Sequence, residues 1–390
     1  MEIRVVMVGC GFMGKAHSNA WHRAHIYFNT KAKPVMKSIC DKDERAVKAF
    51  AKLWGWERAE TDFKKAVSAQ DIDLVDICTP NNTHAEIAIA AAKAGKAVLC
   101  EKPLAMNLAQ ALKMADVVKK NKVFNAVSFN YRRVPAISLA KQIIAEGRIG
   151  RVFHVRAVYL QDWIIDPAFP LVWRLNKTVS GSGAHGDLNA HIIDMSRFLV
   201  GEISEVVGDA KIFIKERPLL DAVTSGLGAK AGRGKKGKVT VDDAVVFLAR
   251  FANGAVGTFE ATRFAQGRKN GNRIEINGEK GSLSFNFERM NELDFFDATE
   301  SKHLQGWKTI LATEPGAHPY IHAWWPAGHI IGYEHTFVNQ AADIVNELAS
   351  GKKTHQPDFA DAARTQAVLD SVLLSAKKHA WVKVPRVYKP

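Results

Sequence analysis

The chain opens with the apolar run Ile3-Arg-Val-Val-Met-Val8, which leads directly into Gly9-Cys-Gly11-Phe-Met-Gly14 and then into a helical pattern. A glycine segment between a strand and a helix is the context in which G-x-G-x-x-G binds a dinucleotide. Gly9 permits the tight turn, Gly11 lets the backbone approach a pyrophosphate, and Gly14 lets the helix pack close to the sheet. The N–H groups at the amino terminus of the helix suit an anion. The sequence therefore predicts that the chain begins with a Rossmann domain.

A second predicted strand, Val35-Met-Lys-Ser-Ile-Cys40, ends at Asp41. A carboxylate in this position can accept hydrogen bonds from the ribose hydroxyls of a dinucleotide, which favours NAD over NADP. Lys42 and Arg45 lie nearby in the sequence and could pair with a 2′-phosphate. Asp41 therefore indicates NAD, and the two basic residues leave NADP as the alternative.

A further strand of the same sheet is predicted in Ala97-Val-Leu-Cys100-Glu101-Lys102-Pro103. Its apolar run is typical of a buried strand in a parallel sheet. A lysine just past the carboxyl end of a strand lies where open α/β sheets bind ligands. Pro103 stiffens the chain there, because its fixed φ also restricts Lys102. A surface ion pair between Glu101 and Lys102 is the alternative interpretation.

The pattern of the chain changes after its first third. Strands and helices alternate up to that point, as in a parallel sheet with right-handed crossovers. Beyond it, Val152 to Leu160 alternates in hydrophobicity, and two strand-like runs flank Asn253-Gly254, a strong hairpin signal. We therefore predict an α/β protein of two domains. Residues 1–130 form a doubly wound parallel sheet of the Rossmann type, and residues 131–390 form an α/β domain with a large, mostly antiparallel sheet.

The second domain carries Gly186-Asp187-Leu-Asn189-Ala-His191-Ile-Ile-Asp194. On a helix, Asp187, His191 and Asp194 share one face. An aspartate and a histidine presented together suit proton transfer, because imidazole titrates near neutral pH and the carboxylate can orient it or raise its basicity. Three alternatives compete: Asp187 caps the helix, His191 is a hydrogen-bonded core residue, or the three side chains bind a metal.

The composition argues against several classes of protein. A formal charge of +14 over 390 residues suggests nucleic-acid binding, but the basic residues are mostly dispersed. Their densest cluster, Lys230 to Lys238, is interleaved with glycines, which predicts a flexible loop. No apolar run approaches the ~20 residues that span a bilayer, and no secretory signal is evident. The four cysteines are consistent with reduced thiols in a reducing compartment. We therefore expect a cytoplasmic protein that binds neither nucleic acid nor membranes.

Three motifs follow one another along the first domain: Gly9-x-Gly11-x-x-Gly14, Thr79-Pro80 with His84, and Glu101-Lys102-Pro103. With the Asp-x-x-x-His helix, the chain resembles the glucose-fructose oxidoreductase and inositol dehydrogenase (Gfo/Idh/MocA) family. The resemblance implies a dinucleotide-binding domain, a second domain for substrate binding and oligomerisation, and a lysine, Lys102, between nicotinamide and substrate. It also implies that the NAD site is formed by Gly9, Gly11, Phe12, Met13, Gly14, Asp41, Thr79, Pro80, Asn81, His84, Glu101 and Lys102.

Within the family, the chain resembles the sugar and glycoside 3-dehydrogenases. The segments that carry this likeness are Tyr159-Leu-Gln161-Asp162-Trp163, Trp173-Arg174, Gly181-Ser-Gly183-Ala-His185-Gly186-Asp187 and Asp194-Met195. The likeness implies substrate binding by Lys102, Tyr131, Arg132, Gln161, Trp163, Trp173, Arg174, Asp187 and His191. Aromatic faces with donors and acceptors suit a pyranose, although core packing is an alternative role for the two tryptophans.

Three features depart from the family pattern. Asn189 stands where a glycine is usual, and His185 interrupts an approach of small residues, so we expect both to reshape the pocket. The glycine- and lysine-rich insertion from Leu219 to Lys238 is also unusual. A cover over the site and a contact with another subunit are possible roles for this insertion, but a solvated loop is favoured.

The resemblance implies an oxidoreductase that passes hydride to NAD from a ring secondary hydroxyl, at C3, of a sugar, an anhydrosugar such as levoglucosan, or a glycoside. In the expected mechanism, His191 takes the hydroxyl proton, Lys102 stabilises the developing negative charge and Asp187 orients the group. The spacing does not decide whether His191 or Lys102 is the immediate base, and no metal is expected. The alternatives are an inositol dehydrogenase and a nucleotide-binding sensor without turnover. A homo-oligomer, dimer or tetramer, is expected from the family through the exposed sheet face.

Overall fold

The computed structural model describes residues 1–220, 231–316, 318–353 and 355–388, which form two compact units. The first unit contains Met1–Asn130, Gly332–Gln366 and the described residues from Val387 onward, and the second contains Tyr131–Ile331 and Ala367–Arg386. The chain passes between units at Asn130, where the sequence places its domain boundary. It returns to the first unit at Gly332, although residues 131–390 are predicted above to form one domain. The functional roles of the two domains stay predictions.

The first unit is built on a six-stranded sheet in which all neighbouring strands are parallel. The strands are β1 (Glu2–Val8), β2 (Lys33–Cys40), β3 (Arg58–Glu60), β4 (Leu74–Ile77), β5 (Ala97–Glu101) and β6 (Asn125–Ser128). Their order, β3-β2-β1-β4-β5-β6, confirms the predicted doubly wound sheet of the Rossmann type. Because the order reverses between β1 and β4, the carboxyl ends of these strands border the crevice in which such sheets bind ligands.

Helices flank this sheet. They are α1 (Phe12–Tyr27), α2 (Glu44–Trp54), α3 (Phe63–Ser68), α4 (His84–Lys93), α5 (Leu108–Lys120) and, from later in the chain, α9 (Tyr333–Ala349). Of these, α2, α3 and α5 each begin at an aspartate or asparagine side chain that caps the helix. Asp43 caps α2 by accepting from the Ala46 N–H at 2.9 Å, and Asn107 caps α5 by accepting from the Gln110 N–H at 3.0 Å. Such caps satisfy backbone donors that have no partner within the helix.

The second unit is built on a nine-stranded sheet that is antiparallel except between two of its strands. Its strands are β7 (Val152–Leu160), β8 (Ile203–Lys211), β11 (Ala244–Phe251), β12 (Val256–Thr262), β13 (Gly271–Gly278), β14 (Gly281–Asn286), β15 (Glu292–Asp297), β16 (Trp307–Leu311) and β17 (Val382–Lys383). The order is β16-β15-β14-β13-β7-β12-β11-β8-β17. The prediction of a large, mostly antiparallel sheet is confirmed, as is the hairpin of β11 and β12 around Asn253-Gly254.

The helices of the second unit are α6 (Pro135–Ala145), α7 (Lys177–Ser180) and α8 (Ala190–Leu199), and α10 (Phe359–Lys378) runs from the first unit into the second. Among the described residues, no helix combines the length and the apolar character needed to cross a bilayer.

The prediction of a flexible loop at the basic cluster is wrong for the described part of that cluster. β10 (Ala231–Lys238) pairs antiparallel with β9 (Glu216–Leu220), so the backbone is hydrogen-bonded in a hairpin. At Gly237 an added Cβ would lie 2.6 Å from a methyl group of Leu171. This glycine therefore serves close packing. Lys230 and the rest of residues 221–230, where the insertion was predicted to form a solvated loop, lie outside the described residues.

The helix that carries the Asp-x-x-x-His motif is not a single α-helix as the sequence suggests. One π-helical turn, His185–Asn189, precedes α8. The Asp242 carboxylate accepts from the N–H groups of Gly183 at 2.8 Å and His185 at 2.7 Å, so it supplies the cap at this helix start. Because this cap comes from a residue that is distant in sequence, the Asp187 carboxylate is not required as a cap and can make another contact.

A buried ion pair fixes α8 within the second unit. Arg132 donates from Nε and Nη2 to the two carboxylate oxygens of Asp194, at 2.7 and 2.6 Å. Both side chains are buried, and the Arg132 guanidinium also lies over the ring of Phe198. A bidentate pair of this kind fixes orientation as well as charge.

Replacement of Asp194 by alanine should destabilise the protein strongly. We expect the free energy of unfolding to fall by about 3–5 kcal/mol, because the change removes the carboxylate from a buried guanidinium. Urea unfolding followed by circular dichroism measures this. The control is Glu205→Ala in the solvent-screened pair with Arg250, for which we expect a loss of no more than about 1 kcal/mol. Equal losses in the two variants would contradict the assignment.

Candidate active site

The glycine turn after β1 combines tight packing on one side with open space on the other. Gly9 has φ of 108° and lies so close to the next strand that a Cβ would be 2.6 Å from the carbonyl oxygen of Cys78. At Gly14 a Cβ would lie 2.4 Å from the Gly9 oxygen. At Gly11 a Cβ would meet no atom within 4 Å. The open space at Gly11, at the amino terminus of α1, is therefore where the backbone can approach an anionic ligand.

Asp41 lies at the end of β2 and is joined to the glycine turn. Its Oδ2 accepts from the Cys10 N–H at 2.9 Å, while Oδ1 makes a longer contact of 3.4 Å with the Asp43 N–H. The carboxylate is thus fixed beside the turn with acceptor capacity remaining. The hydroxyl groups of a dinucleotide ribose are donors that require such an acceptor, so Asp41 fits the dinucleotide that the sequence predicts.

Phe12 and Met13 begin α1 beside the same turn. The Phe12 side chain is exposed, and its ring stacks on Tyr333 of α9 at 6.5 Å between centroids. Thr79, Pro80 and Asn81 follow β4, each partly buried. Their contacts with the cofactor stay predictions.

His84 connects two loops at this edge of the sheet. Its ring is fully buried, with Nε2 2.9 Å from the Thr79 oxygen and Nδ1 3.0 Å from the Pro103 oxygen. Burial lowers the pKa of His84, although the two carbonyl contacts favour its protonated form. The structure thus gives His84 a role in joining the loops after β4 and β5.

Glu101 and Lys102 lie at the carboxyl end of β5, as predicted. The Glu101 side chain is buried, its Oε2 accepts from the Lys102 N–H at 3.1 Å, and its Oε1 lies 3.0 Å from Nε2 of His17. Lys102 is partly exposed and precedes Pro103 through a cis peptide bond. A buried Glu101 excludes the alternative of an ordinary surface ion pair. His17 was not among the predicted site residues, because no motif marks a helical histidine that faces inward.

In the second unit, a chain of hydrogen bonds joins several predicted substrate residues. Tyr131 donates to the Tyr159 hydroxyl at 2.8 Å, and Tyr159 donates to Oδ1 of Asn270 at 2.6 Å. Gln161 donates to the same Asn270 oxygen at 3.3 Å and accepts from Nε1 of Trp163 at 2.9 Å. The structure therefore brings Tyr131, Gln161 and Trp163 into one network, which fixes the direction of their polar groups.

His191 belongs to this region through its ring. It is buried and stacks on Tyr131 with 4.3 Å between ring centroids and 24° between the planes. The stacking explains how Tyr131, from outside α8, orients the imidazole.

Asp187 pairs with an arginine that is not among the predicted site residues. Arg263, the residue after β12, donates from Nη2 to Oδ2 of Asp187 at 2.7 Å, and its guanidinium lies 5.2 Å from the Trp163 ring. Arg263 is almost completely buried. No spacing in the sequence could reveal this pair, because 76 residues separate the partners. The pairing argues against Asp187 as a simple helix cap.

The ion pairs also bear on the metal alternative. Asp187 is engaged with Arg263 and Asp194 with Arg132, so two of the three proposed ligands already have cationic partners. Within the described residues, the potential ligand atoms that lie within 4.8 Å of one another belong instead to His17, Asp76 and Cys78.

Arg174 and Trp173 form a pair of their own. The Arg174 guanidinium lies 4.4 Å from the Trp173 ring. Burial lowers the pKa of Arg174, and the charge of Asp187 opposes this shift. Arg174 therefore interacts electrostatically with Asp187, whereas Arg132 forms its ion pair with Asp194. Substrate contacts of these residues stay predictions.

His185 and Asn189, the two departures from the family pattern, are partners. Both are fully buried; Nδ1 of His185 lies 2.9 Å from Nδ2 of Asn189, and Nε2 lies 2.9 Å from the Leu369 oxygen. Burial lowers the pKa of His185, which fits a neutral ring that donates through Nε2 and accepts through Nδ1. The two residues support α8 from the interior.

The fold and these two clusters define a class: an oxidoreductase with a Rossmann unit for a dinucleotide and a second unit rich in groups that bind polar substrates. Residues 3–129 match the family described as oxidoreductase family, NAD-binding Rossmann fold, and residues 137–284 match the GFO/IDH/MocA C-terminal domain.

Similar proteins extend the match to the full chain. The chain is 44% identical over 389 residues to levoglucosan dehydrogenase of Pseudarthrobacter phenanthrenivorans, with 99% of each chain covered. A crystal structure of an oxidoreductase domain protein from Kribbella flavida superposes with a TM-score of 0.94 at 51% identity, covering 99% of this chain and all of that one. The structure of levoglucosan dehydrogenase with NADH and levoglucosan gives a TM-score of 0.93 at 42% identity, with 99% and 100% covered. The chain belongs to the Gfo/Idh/MocA family of NAD-dependent oxidoreductases.

Replacement of Gly11 by alanine should separate ligand binding from stability. Gly11 has φ of −79°, and no atom lies within 4 Å of an added Cβ. We therefore expect the free energy of unfolding to change by less than about 0.5 kcal/mol. The methyl group would occupy the space predicted for the pyrophosphate, so the Kd for NADH should rise about tenfold or more.

Fluorescence titration with NADH measures the change in affinity. Gly306→Ala is the matched control, since that glycine also has open space around it and lies in the other unit. Equal NADH affinity in the two variants would contradict the placement of the cofactor.

Proposed function

We propose that this protein oxidises a ring secondary hydroxyl of a sugar, an anhydrosugar such as levoglucosan, or a glycoside. The proposed position of this hydroxyl is C3. NAD is the hydride acceptor, and the keto sugar is the product. The main support is the cluster in the second unit, where Asp187, His191, Gln161 and Trp163 present a carboxylate, an imidazole, an amide and an aromatic face. The similarity over the full chain to levoglucosan dehydrogenase supports the same substrate class.

In the proposed reaction, His191 accepts the proton of the substrate hydroxyl as the carbon loses hydride. Stacking on Tyr131 fixes the plane of the imidazole. A histidine is suited to this step because its ordinary pKa lies near neutral pH.

Lys102 would donate a hydrogen bond to the same substrate oxygen and stabilise the negative charge that develops there. Asp187 would orient the hydroxyl or the imidazole, with Arg263 holding one carboxylate oxygen in place. Asp41 would accept hydrogen bonds from the adenosine ribose, which favours NAD over NADP.

A substrate panel tests this function. We expect NADH absorbance to rise with levoglucosan, glucose or glycosides, faster than with inositols, and kcat/KM to be higher with NAD than with NADP. Nuclear magnetic resonance of the product should show a ketone at C3. Preference for inositols would instead support an inositol dehydrogenase, and tight NADH binding without oxidation of any polyol would support a sensor.

Lys102→Ala and His191→Ala should each lower kcat by about 100- to 10,000-fold, because each removes a group that acts on the reacting oxygen. Turnover at saturating sugar and NAD measures the effect. Lys113→Ala, at an exposed position of α5, is the matched control and should keep the activity of the unmodified protein. Near-normal turnover in both active-site variants would refute the mechanism.

We also propose that the protein forms homo-oligomers, dimers or tetramers, through the outward face of the nine-stranded sheet. Val246 and Leu248 on β11 and Val256 on β12 are each 48% exposed and lie on adjacent strands. An apolar patch of this kind is costly to leave in water.

Leu248→Lys should lower the mass of the assembly in light scattering, because a charge would enter the buried face. Leu53→Lys, on exposed α2 of the first unit, is the control and should leave the mass unchanged. A monomeric unmodified protein, or an unchanged mass in Leu248→Lys, would refute this surface.

A cytoplasmic location is proposed from the thiols. Cys10, Cys40, Cys78 and Cys100 are all free cysteines, three of them buried, which suits a reducing compartment.

A further inference from the structure

A histidine in the first unit lies between two buried carboxylates. Nδ1 of His17, on α1, lies 3.0 Å from both carboxylate oxygens of Asp76, and Nε2 lies 3.0 Å from Oε1 of Glu101. A neutral imidazole has a single N–H, so it can donate to one acceptor only. Donation to both carboxylates requires the doubly protonated ring. With both carboxyl groups ionised, the geometry therefore selects the imidazolium form of His17.

The elements around the ring bring no competing cation into contact with it among the described residues. On β4, Asp76 also accepts from Nε1 of Trp21 at 2.7 Å, and Sγ of Cys78 lies 3.7 Å from its Oδ1. Burial raises the pKa of Cys78, so this group is a neutral thiol. From α9, the ring of Phe337 packs 5.4 Å from His17. The charges that face the imidazole are thus the two carboxylates.

Electrostatics agrees with this geometry. Burial by itself would lower the pKa of His17, but the charge and hydrogen bonds of Asp76 hold it well above its ordinary value. Burial would raise the pKa of Glu101, but the hydrogen bond and charge of His17 hold it below its ordinary value. The side chains of His17, Asp76 and Glu101 are all at most 5% exposed, so each charge depends on the others.

Glu101 transmits this arrangement to the lysine that follows it. One of its oxygens is held by His17, and the other accepts from the Lys102 N–H at 3.1 Å. On the far side of Lys102, the Pro103 oxygen lies 3.0 Å from Nδ1 of the buried His84 ring. The backbone from which the lysine side chain departs is therefore fixed on both sides.

We propose that His17 is a positioning residue for Lys102: as an imidazolium it holds Glu101, and Glu101 holds the backbone from which the Lys102 ammonium group reaches the substrate oxygen. This inference rests on the catalytic role proposed above for Lys102. His17 itself touches neither substrate nor cofactor in this scheme.

A double-mutant cycle with His17→Gln and Glu101→Gln tests the proposal through activity. His17→Gln should lower kcat about 10- to 100-fold, since a displacement of about 1 Å at a catalytic group can cost that much. The KM for the sugar and the Kd for NADH should stay close to those of the unmodified protein. In the Glu101→Gln background, His17→Gln should have little further effect on kcat, because the residue through which it acts has already been changed.

The control variant is His22→Gln, at an exposed position of the same helix, which should leave kcat unchanged. Additive losses of kcat across the cycle would overturn the proposal, and so would a loss confined to the melting temperature. Lys102→Ala distinguishes a failure of the proposed function from a failure of the positioning role of His17. Full activity in Lys102→Ala refutes the proposed function, whereas an inactive Lys102→Ala with unchanged kcat in His17→Gln refutes the role of His17 alone.

A second measurement does not depend on the folding of His17→Gln. In the unmodified protein labelled with ¹⁵N-histidine, one ring should show the chemical shifts of an imidazolium at pH 8, where an ordinary histidine is neutral. That signal should move in Glu101→Gln, which identifies it as His17. A spectrum in which every histidine is neutral at pH 8 would overturn the proposal.

Discussion

The parallel direction of the six strands is the constraint on which the first unit depends. Since β1, β2, β4 and β5 all point the same way, their carboxyl ends share one edge, and the residues that follow them are gathered there. Each loop is then tied to its neighbour by one polar side chain: Asp41 reaches the glycine turn, and His84 joins the loops after β4 and β5. Neighbouring loops at this edge are thus joined in two pairs by polar side chains.

Features that are encoded locally could be predicted from the sequence. The turn around Gly9 and the hairpin at Asn253-Gly254 each depend on a few adjacent residues, and the structure has both. The strand in Ala231–Lys238 was missed because its stability comes from pairing with Glu216–Leu220 rather than from the strand preference of its own residues.

The candidate site shows the same division. Spacing predicts that Asp187 and His191 lie on one helix, but it says nothing of Arg263 or Tyr131, which reach them from other elements. The roles of the aspartates could not be predicted from residue type, because Asp242 caps a helix whereas Asp194 pairs with an arginine. Partners that are distant in sequence decide what each acid does.

The return of the chain to the first unit has a consequence for folding on the ribosome. Helix α9 supplies contacts that the first sheet needs: Gln340 donates to the Val127 oxygen at 3.0 Å, and Asn130 donates to Thr336 at 2.8 Å. Domains generally fold as units as they emerge, the amino-terminal one first. Here the sheet is synthesised long before α9, and residues 131–331 of the other unit emerge in between. The nascent Rossmann sheet therefore lacks these contacts until α9 is synthesised, which makes this interval the stage at which a chaperone would have most to protect.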